Sequence, residues 1–354
     1  MSRVLIGFSA AFLIIMLPTA VFAGTSKPNF FDYPTPNIQQ GDSQPFDADG
    51  FYTRGMRYYE NNEFDKSIAD FSEAIRFFPR FAKAFNARGK VYLDEAAFDK
   101  AITDFNSAIG LNARFALAYY NRGFAYNSLK QYDKALADYS RALEIDANYT
   151  LVYNDRGIAY SNLKQYDKAI ADYSKAIELD PNYTLAYFNR GIAYYYQKHA
   201  VKAIDDYSKA IELDPTFVAA YMNRGISYSE TLNYKQAVVD FTIVIRLSPN
   251  NTQAYYSRAI SYFFVKEYEK AIADFTTVLE ADPQKADVYN FRAECYFLLK
   301  QYKEALADWK QFEAMGEKLS FADKVYRDGA VDALKKTLTA TPSLTVSATA
   351  TAVK

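Results

Sequence analysis

The sequence predicts an all-α solenoid of eight tandem helix-turn-helix repeats, and three observations carry that prediction. Arginine recurs every 34 residues, at Arg54, Arg88, Arg122, Arg156, Arg190, Arg224, Arg258 and Arg292, with no insertion or deletion between them. Each period holds two stretches of apolar residues at helical spacing. The prolines inside the array, Pro79, Pro181, Pro215, Pro249 and Pro283, all fall at position 32 of a unit that starts six residues before its arginine, where a proline closes one unit without breaking a helix.

At the N-terminus, residues 1–23 carry Arg3, an apolar run from Val4 to Leu17, Pro18, and small residues before Gly24, which reads as a signal peptide cleaved after Ala23; an uncleaved anchor is the alternative. Either form exports the remainder of the chain, with the bacterial periplasm preferred and secretion as the alternative. Residues 24–47, with four prolines among polar residues, read as a disordered linker. The array occupies 48–315. Residues 316–340 hold a closing helix with Ser320 and Asp323 as its N-terminal capping signal and Phe321, Val325, Val331, Leu334 and Leu338 as its apolar face. Residues 341–354, rich in Thr, Ser and Ala, read as a disordered tail.

Within a unit, the second stretch is clearest at 166–180. Ala169, Ile170, Tyr173, Ala176 and Ile177 share one side, with Lys168, Asp172 and Lys175 on the other. The first stretch, 150–163, brings Val152, Tyr153, Gly157 and Tyr160 to one side, and the glycine permits close approach of the paired helix. Across the units, position 4 is aromatic, 8 is Gly in six, 11 is Tyr in all eight, 20 is Ala in seven, 24 is aromatic and 27 is Ala in five. This pattern resembles the tetratricopeptide repeat family. The resemblance implies antiparallel helix pairs stacked into a right-handed superhelix, with first helices lining the concave side and terminal units in need of caps.

One departure stands out. Similar repeats usually carry Leu at position 7 and often an aromatic at 23, whereas here position 7 is Arg and position 23 is Asp (Asp70 through Asp308) in every unit. Sixteen charges at fixed places predict a ladder of partly buried ion pairs, within units or between successive ones, that sets helix register.

Composition narrows the function. Forty-one basic against 42 acidic residues give a net charge of −1, without the basic excess that phosphate binding needs, so no nucleic-acid partner is expected. One cysteine, Cys295, and one histidine, His199, cannot build a disulfide or a histidine metal site; no cofactor, metal or catalytic residue is expected. Cys295 reads as a buried thiol and His199 as a loop residue. The sequons at Asn148, Asn182 and Asn250 would accept glycans only on a eukaryotic secretory route. Of 32 tyrosines, most fall at positions 4, 11, 17 and 24 and are assigned to packing.

What the resemblance implies about binding concerns positions 2, 5, 6, 9, 12 and 13. At position 6, Asn121, Asn189 and Asn223 match a row that holds peptide backbone in several relatives, while Asp155 departs from it as an acceptor-only group. Solvated polar residues are the alternative. Positions 5, 12 and 13 supply Phe188, Tyr195 and Tyr196 in one unit and Tyr256, Phe263 and Phe264 in another, an expected aromatic hot spot for a partner. A homodimer seam or extra packing would account for the same residues. The carboxylate clamp of some relatives needs Lys at 5 and Asn at 9, and no unit has either. The expected function is a non-enzymatic scaffold that binds a protein or peptide partner, in envelope assembly, secretion or pilus biogenesis, with no membrane span once the leader is removed. A self-assembling homo-oligomer, or a non-catalytic subunit of an envelope enzyme, is the alternative.

Overall fold

A computed structural model describes residues 47–340. The expected signal peptide, the tail and all of the linker except Asp47 lie outside the described residues. Within them the chain is helical, with no strand, and divides into two compact units. The first, to Asp214, holds the pairs α1 (Ala48–Glu60) and α2 (Phe64–Phe77), α3 (Ala82–Asp94) and α4 (Phe98–Leu111), α5 (Ala116–Ser128) and α6 (Tyr132–Ile145), α7 (Thr150–Asn162) and α8 (Tyr166–Leu179), and α9 (Thr184–Tyr196) and α10 (Ala200–Leu213). The second, from Pro215, holds α11 (Val218–Glu230) and α12 (Tyr234–Leu247), α13 (Thr252–Phe264) and α14 (Tyr268–Ala281), α15 (Ala286–Leu298) and α16 (Tyr302–Ala314), then α17 (Phe321–Ala340). In each unit every first helix packs on its own second helix, and that second helix packs on the next first helix.

The repeated glycine has a steric cause. A Cβ on Gly157 would lie 2.6 Å from the Tyr173 ring, and one on Gly89 2.7 Å from Phe105, so the position-24 ring seats directly against the first helix. That ring is fully buried in repeat after repeat, with Ala at position 20 beside it. Each first helix then ends in the same reversal. The amide of Gln165 donates to the carbonyl of Tyr160 at 2.9 Å and that of Lys164 to Ser161 at 2.9 Å, with Lys164 at φ 58. This double bond past a left-handed residue satisfies the helix's last carbonyls. Position 15 takes the left-handed conformation in all eight repeats, yet it is never glycine.

The recurring charges form eight bidentate pairs, each within its own repeat: Arg156 Nε and Nη2 donate to Asp172 at 2.8 Å each. The third guanidinium arm reaches back, since Arg156 Nη1 donates to Ser140 Oγ of the preceding repeat at 3.2 Å and Arg122 Nη1 to Asn106 Oδ1 at 2.6 Å. The ladder therefore pairs within repeats and ties neighbours through the spare arm. The tyrosines assigned to packing divide in two. Tyr139, Tyr173 and Tyr207 are core, but Tyr119, Tyr153 and Tyr160 are only part-buried, and Arg122, Arg156 and Lys168 sit over their rings at 5.3–5.6 Å.

The closing helix docks differently from its expected apolar face. Phe321 is 85% and Val325 53% exposed, while Ala330 is fully buried and Tyr326 stacks on Phe297 at 4.9 Å. Val331 and Leu334 are part-buried, and the side chain of Leu338 lies outside the described residues. The capping signal is as read: Ser320 N donates to Asp323 Oδ2 and Asp323 N to Ser320 Oγ, both at 3.2 Å.

Candidate functional site

The position-6 row is built into the contacts between repeats. Asn121 Nδ2 donates to Asn86 Oδ1 at 3.1 Å, and Asn189 Nδ2 to Asn154 Oδ1 at 3.0 Å, each bond joining position 6 of one repeat to position 5 of the one before. Burial corrects the expected ladder on a solvated groove: Asn121 is fully buried, Asn189 7% and Asn223 8% exposed. The physical reason is that a short amide reaches the facing repeat before it reaches solvent, and burial favours pairing its donor; Asn121 Oδ1 itself has no hydrogen-bond partner among the described residues. Tyrosine performs the same join at Tyr120, whose hydroxyl donates to Asp155 Oδ2 at 2.9 Å.

The aromatic hot spot is corrected in part. Phe188 (2% exposed), Tyr195 (4%) and Tyr256 (1%) are core residues; Phe188 packs against Tyr207, and Tyr256 donates to Asp287 at 2.7 Å. Tyr196, Phe263 and Phe264 remain part-buried. Tyr196 stacks on Tyr166 and Phe264 on Tyr234, at 5.3 and 4.4 Å, so one face of each ring is taken by the preceding repeat's second helix. A cleft of about 380 Å³ opens beside Phe264, Val265 and Leu232. Sequence position located these rings on the first helices but carried no sign of which side a neighbouring ring would cover.

Asp155 stands apart. It is part-buried, and burial pushes its carboxyl up to about 6 against the opposing bonds from Tyr120 and Asn154, whose Nδ2 donates to Oδ1 at 3.0 Å. The relay Asn189, Asn154, Asp155, Tyr120 thus crosses three repeats. Sequence reasoning missed two participants, Asn154 and Tyr120; their shared position 5, one place before the asparagine row, was the available signal. It also missed a second polar knot, in which Lys90, only 2% exposed, pairs with Asp94, which accepts from Tyr59 as well.

The remaining reactive groups are quiet. Cys295 is fully buried and its thiol is pushed up by burial; His199 is exposed in the turn before α10. Among the described residues no cluster of three potential metal ligands occurs, and no helix is long and apolar enough to cross a membrane.

Comparison with known proteins agrees with this architecture. Two family models, both described as tetratricopeptide repeat, match residues 116–149, 151–183 and 184–217 in one case and 52–113 and 256–311 in the other, together more than half of the chain. The chain belongs to the tetratricopeptide repeat family. No curated protein matches it. Among solved structures it is similar to the C-terminal part of a TPR repeat-containing protein from Cytophaga hutchinsonii, at 21% identity and TM-score 0.58 over 68% of this chain and 98% of that one. It is also similar to a tetratricopeptide repeat protein from Parabacteroides merdae (21%, TM-score 0.50, 71% and 98%) and to Pseudomonas aeruginosa pilF (17%, TM-score 0.53, 60% and 97%). These are likenesses of fold.

Proposed function

We propose that the chain is a non-enzymatic scaffold that holds an extended or helical segment of a protein partner on its first-helix face. One observation carries this reading. On α7 and α9 the first-helix face keeps Leu151, Asp155, Ile158 and Leu185 part-exposed, a mixed apolar and polar strip on a rigid frame, while the ion pairs and asparagines are spent on holding repeats together. Export to the periplasm, and a place in envelope assembly, secretion or pilus biogenesis, belong to the same proposal and rest on the leader sequence.

A photo-crosslinking amino acid placed at Ser128, exposed at the end of α5, and separately at Ala171, exposed on α8, tests the reading in the native host. A discrete partner adduct from Ser128 and none from Ala171 is expected. Adducts from Ala171 alone would move the partner to the second helices. Self-assembly is the second reading, favoured by Phe321 and Val325 exposed on α17, and an adduct that contains only this chain would support it.

A further inference from the structure

Asp155, at position 6 of a first helix, lacks the arginine partner that every position-23 acid in the array has. Asp138 and Asp172, on the second helices either side of it in sequence, each face an arginine in bidentate contact. Asp155 is held only by neutral donors, the Tyr120 hydroxyl and the Asn154 amide, and among the described residues no lysine, arginine or histidine pairs with it. A part-buried carboxylate without a cation is costly, and its natural compensation is an opposite charge.

The surroundings fit one. Leu151 and Ile158, four residues before and three after on α7, flank it on the same side of the helix and are part-buried. Such a strip suits the methylene stem of a long basic side chain. Phenols surround the carboxylate. Tyr120 comes from α5 with Tyr149 at 5.3 Å, and Tyr139 from α6 is fully buried with a hydroxyl that has no hydrogen-bond partner. Tyr173 on α8 and Tyr183 before α9 also feel the charge of Asp155; burial first and then that charge push the phenols of Tyr120, Tyr139, Tyr173 and Tyr183 up, so these four are neutral at physiological pH. The carboxylate has lone pairs beyond the two its donors use.

We propose that Asp155 is the recognition point for one cationic side chain, a guanidinium or ammonium carried by the partner segment, whose stem lies along Leu151 and Ile158. This rests on the scaffold reading and names the chemistry of its partner. Because burial pushes Asp155 up to about 6, the site is charged at pH 7.5 and mostly neutral at pH 5, so cation binding strengthens as pH rises.

The test has two arms on the full chain. In the first, n-butylguanidinium is titrated while the aspartate carboxyl carbons are followed by NMR, with the Asp155 signal assigned by its loss in Asp155→Asn. A saturable shift of that signal at pH 7.5, weakened at least tenfold at pH 5, is expected. In the second, a displayed library of random decapeptides is selected on the chain. The enriched sequences should share a basic residue in one register and lose at least tenfold in affinity to Asp155→Asn. No shift of Asp155 with butylguanidinium overturns the proposal. Enriched peptides without a fixed basic residue, or insensitive to Asp155→Asn, overturn it too and leave the scaffold reading standing. A clear shift with no enriched peptide leaves the cation site standing and removes the peptide-binding reading.

Discussion

Asp155 shows how a single side chain can sit at odds with the fold that holds it. Its folded carboxyl is raised to about 6, above the ~3.9 of an unfolded aspartate, so the native state binds the proton more tightly. That contribution to stability is fully present below about pH 4 and is lost as pH rises through about 6. Asp155→Asn keeps an acceptor for Tyr120 and removes the charge. The expected result is a gain of about 1–2 kcal/mol at pH 8 and little change at pH 4, read from denaturant unfolding at the two pH values. A variant less stable than the parent at pH 8 would contradict the electrostatic account. Asparagine already fills the matching place at Asn121, Asn189 and Asn223, so the aspartate is the residue that needs a reason beyond stability.

Among the elements, the helix pair is held by two devices that a sequence shows unequally. Strict recurrence made the Arg and Asp positions plain, but whether they pair within a repeat or across to the next was open until the structure placed both donors of Arg156 on Asp172 of the same repeat. A double-mutant cycle on Arg156 and Asp172 should give a coupling of about 1–3 kcal/mol, with each single alanine variant costing about 3 kcal/mol because a charge is left unpaired. A coupling near zero would sink the pairing as a structural device. The direction in which Asn121 and Asn189 turn was not legible, because an amide at position 6 suits solvent, peptide or a facing amide equally until the neighbouring repeat is placed. Phe188 and Tyr256 were misread for the same reason: only packing reveals that Phe188 lies against Tyr207 of its own repeat and that Tyr256 reaches Asp287 of the next.

The closing helix adds a second pH effect. Burial first, then the charge of Asp323 and a hydrogen bond to it, push the Glu294 carboxyl up to about 8. The folded state therefore favours the protonated carboxyl, and the stability this contributes is lost as pH rises through about 8. Amide exchange in α17 is expected to accelerate between pH 7 and 9 beyond the intrinsic rise, and Glu294→Gln should abolish the excess. An unchanged excess in that variant would assign it elsewhere.

For the whole molecule, the first repeat of the array is marked in the sequence as clearly as the middle ones. Position 10 is a fully buried small residue from Val91 and Ala125 through Ser261 and Cys295, but in the first repeat it is Arg57, exposed. Position 3, fully buried Ala or Val in the later repeats, is Gly50 there. A polar outer face on the first unit is what keeps a stack of identical units from continuing. Fold class and repeat frame were therefore readable from periodicity alone, since an unbroken period of 34 fixes the order of the helices, though not which side chains meet. The binding face was readable only as a set of positions, because inter-repeat bonding and recognition draw on the same side chains.

The central claim is that recognition occurs on the first helices. It is tested most directly by methyl NMR of the full chain with the partner segment captured through Ser128. The account predicts shifts at Leu151, Ile158 and Leu185 on α7 and α9, with Val201 and Val239, exposed on the second helices α10 and α12, unmoved. Shifts at Val201 or Val239 without any at Leu151 and Ile158 would contradict it.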